Sequence, residues 1–122
     1  MQNKEDLKTR TQQFAIEIIK LVKIIPRNRI ADIISAQLLR SGTSIGANYR
    51  AACRARSKAD FISKMGIVEE EADETLYWLE LLIESGITVK NQIQHLLNEG
   101  TEITAIVVAS INTAKKNNNE KK

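Results

Sequence analysis

A chain of 122 residues has room for one domain with one core, and its 43% hydrophobic and 27% charged residues suit an ordinary globular protein. Five glycines and one proline disfavour a fold of many turns, 4% aromatics are too few for the usual base-stacking platforms, and one cysteine excludes an internal disulfide and suits a reducing compartment. The net charge of +3 is only mildly basic, and no apolar run is long enough for a leader peptide or a membrane span.

Residues 4–25 read as a first helix. Leu7, Thr11, Phe14, Ile18, Leu21 and Ile25 step by four and three, the spacing of one inward seam. Glu5 and Asp6 stand near its start and Lys20 and Lys23 near its end, as the helix dipole favours. Pro26 stops it, because proline lacks the N–H and clashes with the preceding turn.

A second helix starts near Asn28 and has to cross "SGTSIGANYRAACRARS", Ser41 to Ser57. Its glycines and hydroxyls suggest a phosphate loop, but neither G-x-G-x-x-G nor a glycine run ending in Gly-Lys-Ser/Thr is present, and no strand precedes it. Ile30, Ile34, Gln37, Leu38, Ser41, Ile45, Asn48 and Ala52 fall on one face at helical spacing, so the stretch reads as helix interior. Gly42 and Gly46 each cost about 1 kcal/mol there relative to alanine. With Ser35 and Cys53 they form a small-residue stripe, which points to close helix packing rather than a kink. Asn48, on the inward face, reads as a buried amide that fixes register.

The third helix runs from Ser57 to Ser85. Ser57 and Asp60 resemble a capping box, and Gly86 is a stop signal. Phe61, Met65, Val68, Ala72, Leu76, Leu79 and Ile83 form its inward face. Tyr77 and Trp78 are adjacent and cannot both turn inward, and Trp78 lies off the core sector. The fourth helix spans residues 88–116, with Ile93, Leu96, Leu97, Gly100, Ile103, Val107, Ser110 and Ala114 inward. Residues 117–122 form a polar, frayed tail after a single domain at 1–116. Four amphipathic helices with short links bury their stripes only against each other, which gives an all-α, antiparallel up-down-up-down four-helix bundle.

Charge is segregated. Between Arg40 and Lys64 there are six basic residues and one acid; between Gly66 and Glu84 there are seven acids and no base. Arg29, Arg40, Arg50 and Arg54 fall in one outward sector of the second helix, with Arg56 and Lys58 just beyond. The guanidinium fork takes phosphate or carboxylate, so the row suits a nucleic-acid backbone or an acidic protein surface. On the third helix Glu69, Asp73, Glu80 and Glu84 form one row, and Glu70 and Glu74 turn further out. A di-metal bundle wants Glu-x-x-His on facing helices. The one histidine, His95, follows Gln92 at that spacing, so neither metal nor cofactor is expected. Cys53 has no catalytic partner in sequence and reads as a small packed side chain.

The stretch Leu38 to Leu82 resembles the four-helix-bundle proteins encoded in intervening sequences of bacterial 23S ribosomal RNA genes. The resemblance rests on Ser44-Ile45-Gly46-Ala47-Asn48, on Ser57 with Asp60-Phe61, and on Glu71-Ala72, Glu74-Thr75 and Tyr77-Trp78-Leu79 taken together. It implies a bundle that assembles as a homopentameric ring. It also implies kinship with the accessory protein of diversity-generating retroelements, which binds nucleic acid and a reverse transcriptase. Many members carry an acid where this chain has Ala51, so any role of that acid is absent here.

Three expectations follow. The protein is a cytoplasmic, non-enzymatic oligomer without membrane contact. Arg29, Arg40, Arg50, Arg54, Arg56 and Lys58 bind RNA or DNA backbone, or the same arginines pair with carboxylates of a neighbouring subunit or partner. Gly42, Gly46, Tyr77, Trp78, Glu69, Asp73 and Glu80 serve the contact between subunits.

Overall fold

A computed structural model describes residues 4–120, with side chains from Asp6 to Asn117. The described residues contain four helices and no strand: α1 (Lys4–Ile24), α2 (Arg29–Cys53), α3 (Lys58–Glu84) and α4 (Lys90–Glu120). The tail expected to fray continues α4 as far as Glu120, while Lys121 and Lys122 lie outside the described residues.

The helix ends follow local chemistry. Asn28 caps α2: its side chain accepts the Ala31 N–H at 2.9 Å. Ser57 caps α3 by accepting the Asp60 N–H at 3.0 Å. The reciprocal bond is shifted by one residue, since the Asp60 carboxylate accepts the Arg56 N–H at 3.1 Å rather than that of Ser57. Gly86 stands at φ 81°, the left-handed position that ends α3, and its N–H bonds to the Ile83 carbonyl at 3.0 Å.

Each helix packs on its sequence neighbours and α1 closes against α4, whereas the diagonal pairs α1–α3 and α2–α4 do not meet among the described residues. This is the antiparallel up-down-up-down bundle. The α2–α3 seam is the most extensive and the α1–α4 seam the least. Arg10 fastens that smaller seam: its guanidinium donates to Glu99 at 2.7 and 3.0 Å and pairs with Glu102 at 3.2 Å. At about 1.5 Å rise per residue, the 31 residues of α4 outrun the 21 of α1.

All six residues of the expected first-helix seam are buried, Ile25 just past the end of α1. The α2 face is turned from the expected one. Ala31, Ser35, Leu38, Ser41, Gly42, Ile45, Tyr49 and Ala52 are buried, while Ile30 is 66% exposed and Asn48 half-buried. Asn48 is therefore not a core amide; it donates to the Ser44 carbonyl in its own helix at 2.8 Å. The glycines explain the rotation. A Cβ on Gly42 would lie 3.0 Å from Ile18 Cγ1, and one on Gly46 would lie 3.1 Å from Thr11 Oγ1. The small stripe meets α1 of the same chain. Gly42 and Gly46 are spent inside the bundle, which corrects their placement in a contact between subunits.

Candidate nucleic-acid interface

The antiparallel topology divides the basic residues of α2 along its length. Arg29 stands at the first turn, Arg40 midway, and Arg50 in the last turn, with Arg54 as the C-terminal cap and Arg56 in the link to α3. Because α2 ends where α3 begins, Arg50, Arg54, Arg56 and Lys58 gather at one end of the bundle.

Arg40 is already engaged. Its guanidinium spans the α2–α3 seam to Glu71, at 3.2 Å, and to Glu74, and its Nε donates to Gln37 Oε1 at 3.4 Å. Glu74 also accepts the Trp78 indole N–H at 3.0 Å. The Trp78 bond first, and then Arg40, hold the Glu74 carboxyl below its ordinary range. The expectation that Arg40 faces a phosphate backbone is corrected, since two carboxylates of its own chain neutralise it. Glu74, expected to turn outward, sits in that seam. Helical spacing placed Arg40 on the right side of α2, but only the tertiary arrangement reveals which acids of α3 oppose it.

The remaining arginines differ. Among the described residues no carboxylate lies within ion-pair distance of Arg29, Arg50, Arg54 or Arg56. Arg50 donates to Gln12 Oε1 of α1 at 3.3 Å, and Arg56 uses only its backbone N–H, on Asp60. Asp60 is matched locally by Lys64 at 2.6 Å, and that bond is the main cause of its lowered carboxyl pKa. Arg29, Arg50, Arg54 and Arg56 are all exposed, and Lys58 is half-buried.

The sequence reading missed Lys115 and Lys116. Both are exposed in the late turns of α4, which the topology returns to the end that carries Arg54 and Arg56. Their signal was the up-down order itself, which places the last helix beside the second link.

Of the expected contact residues on α3, Tyr77 is exposed and Glu69 half-buried, while Asp73 and Glu80 are exposed with no cation in ion-pair distance among the described residues. Trp78 is corrected: it is half-buried against the core, and Tyr77 is the aromatic that turns outward, its ring 5.0 Å away and edge-on. At the opposite end of the bundle from Arg54, Ile24, Ile30, Ile33 and Val89 are each more than half exposed. His95 is exposed 3.6 Å from Glu17. No group of three His, Cys, Asp or Glu among the described residues is placed to hold a metal ion, and no helix is long and apolar enough to cross a membrane.

Fold and charge together define an all-α, antiparallel four-helix bundle with a basic end. The family model for the 23S rRNA-intervening sequence protein matches residues 4–109, and the chain belongs to that family. Among solved structures it is similar to a protein of unknown function from the S23 ribosomal protein family of Bacteroides thetaiotaomicron, with 43% identity and a TM-score of 0.80 over 86% of this chain and 97% of the other. No curated protein matches.

Proposed function

We propose that this chain is a non-enzymatic, cytoplasmic bundle that binds RNA backbone through the basic end formed by Arg50, Arg54, Arg56 and Lys58, with Lys115 and Lys116 alongside. One contrast carries the reading. Arg40, of the same row, is neutralised by Glu71 and Glu74, whereas Arg50, Arg54 and Arg56 are exposed and make no ion pair at contact distance among the described residues, Arg56 acting on Asp60 only from further off. Uncompensated guanidinium groups at one end suit phosphates, whose recognition is tolerant of sequence and sensitive to salt. Arg29 stands at the far end of α2 and is outside this surface.

The test is fluorescence anisotropy with a structured RNA across a salt series. Affinity is expected to fall steeply from low to moderate salt, and Arg54→Glu with Arg56→Glu to weaken it about tenfold. Absence of binding at low salt would sink the reading.

A second reading concerns self-association and rests on the other end. Ile24, Ile30, Ile33 and Val89 expose apolar surface there, and Asp73 and Glu80, without an ion pair among the described residues, lie along α3. Such a surface suits burial against further copies, and the family resemblance makes a ring of five the expected product. Light scattering coupled to size exclusion checks it. A monomer at micromolar concentration would count against assembly, while an oligomer dispersed by Ile30→Asp with Ile33→Asp would support it.

A further inference from the structure

The basic end of the bundle is hollow. A cleft of about 770 Å³ opens between the start of α1, the end of α2, the α2–α3 link and the late turns of α4. That is the size of a small-molecule site. Its apolar lining includes Leu7, Tyr49, Phe61 and Ile106, and the buried Leu7 and Tyr49 belong to the core. The space exists because the walls are small side chains: alanines, serines, a threonine and Cys53 line it where larger residues fill the rest of the bundle. The charged side chains on the lining are Arg56 and Lys58, and no carboxylate lines it among the described residues. The Arg56 guanidinium makes no hydrogen bond and no ion pair at contact distance among the described residues; it acts on Asp60 only from further off, and Asp60 is bonded to Lys64.

An apolar interior with only cationic charge at its border selects an amphipathic anion. A polyanion such as a nucleotide would leave several charges against apolar walls, at a high desolvation cost. A cation would meet Arg56 and Lys58. A neutral chain would leave the guanidinium unused. We propose that this cleft binds a medium-chain fatty-acid anion, with its acyl chain against Leu7, Phe61 and Ile106 and its carboxylate on Arg56. The cleft shares Arg56 with the proposed RNA surface but does not rest on that reading: protection of Cys53 by a fatty-acid anion is read without RNA, and failure to bind RNA leaves it in place.

Cys53 lines the cleft and provides a native reporter as the single thiol of the chain. The rate at which a chromogenic disulfide reagent modifies it is measured on the full chain with decanoate, decanol or decyltrimethylammonium, each below its micellar concentration. Decanoate is expected to slow the reaction saturably, and decyltrimethylammonium to leave it unchanged. Arg56→Gln should weaken decanoate protection about tenfold, the size of one charge-assisted hydrogen bond. Ala109→Trp and Thr113→Trp, at exposed positions on the lining, should each abolish protection while circular dichroism shows the helices intact. Absence of protection by decanoate, equal protection by decanol or the cation, or full protection in both folded Trp variants would overturn the assignment.

Discussion

Arg40 lies midway along α2 and Arg54 caps its C-terminus, fourteen residues on in the sequence, and they differ in chemistry. Arg40 faces the acidic middle of α3 across the most extensive seam of the bundle and is fixed by Glu71 and Glu74. Arg54 stands where α2 has ended and α3 is just beginning, with only Asp60, which Lys64 engages, before the acidic run from Glu69 to Glu84 begins. A row of like residues on a helical wheel is therefore not one site. The partner helix divides it into a structural portion and an available portion, and the dividing line falls where the opposing acids stop.

The sharpest test of that division reverses charge on each side of it. Arg50→Glu, Arg54→Glu and Arg56→Glu together should lower RNA affinity by more than about tenfold and reduce the salt slope by about one for each lost phosphate contact. Arg40→Ala should leave both unchanged in the same anisotropy series. If Arg40→Ala weakened RNA as much, the two portions would be one surface after all.

The next effect concerns the middle of α2 as a packing element. Gly42→Val should destabilise the bundle by about 2–3 kcal/mol in urea unfolding, because the added carbons meet a fully buried Ile18 that has nowhere to move. Gly66 is the internal control. A Cβ there meets nothing within 4 Å, and its φ is not positive. Gly66→Ala should therefore stabilise by about 0.5–1 kcal/mol, through helix propensity and a less flexible unfolded chain. Equal losses at the two glycines would break the assignment of Gly42 to the α1 contact.

The smallest effect is a pH dependence confined to the seam. Folding depresses the Glu74 carboxyl through its bonds to Trp78 and Arg40. Its contribution is complete above the carboxyl's unfolded value and drains away as pH falls through the lower, folded one. Glu74→Gln should flatten the acid limb of stability against pH and alter the emission of Trp78, the single tryptophan. An acid limb identical to the parent's would show that Glu74 is not held by the seam.

The bundle was legible in the sequence because large side chains and helical period agree along α1, α4 and much of α3: Phe14, Ile18, Met65, Leu79, Ile93 and Ile103 are all buried as their spacing predicts. On α3, however, Phe61, Leu76 and Ile83 are only half-buried while Thr75 and Leu82 turn fully inward. On α2 they part company. The eye follows Ile30 and Ile34, but the helix turns Ala31, Ser35 and Gly42 inward, because a close approach to α1 rewards small residues over large ones. The outward arginines were equally readable from spacing. The fate of Arg40 was not, since it depends on which turn of α3 lies across from it. Trp78 was misplaced for a related reason: its indole covers the core edge while its N–H reaches back one turn to Glu74.

The unequal lengths of the helices have a geometric consequence. A bundle of four equal rods ends in two flat faces, each plugged by the side chains of its final layer. Here the rod formed by α4 is the longest among the described residues, by roughly 15 Å when set against α1. Its late turns, from Ile106 to Asn117, stand as one wall of the hollow at the basic end, a shelter that Leu7, Tyr49 and Phe61 complete from the other three helices. Shortening the rod would remove the shelter without touching the layers below.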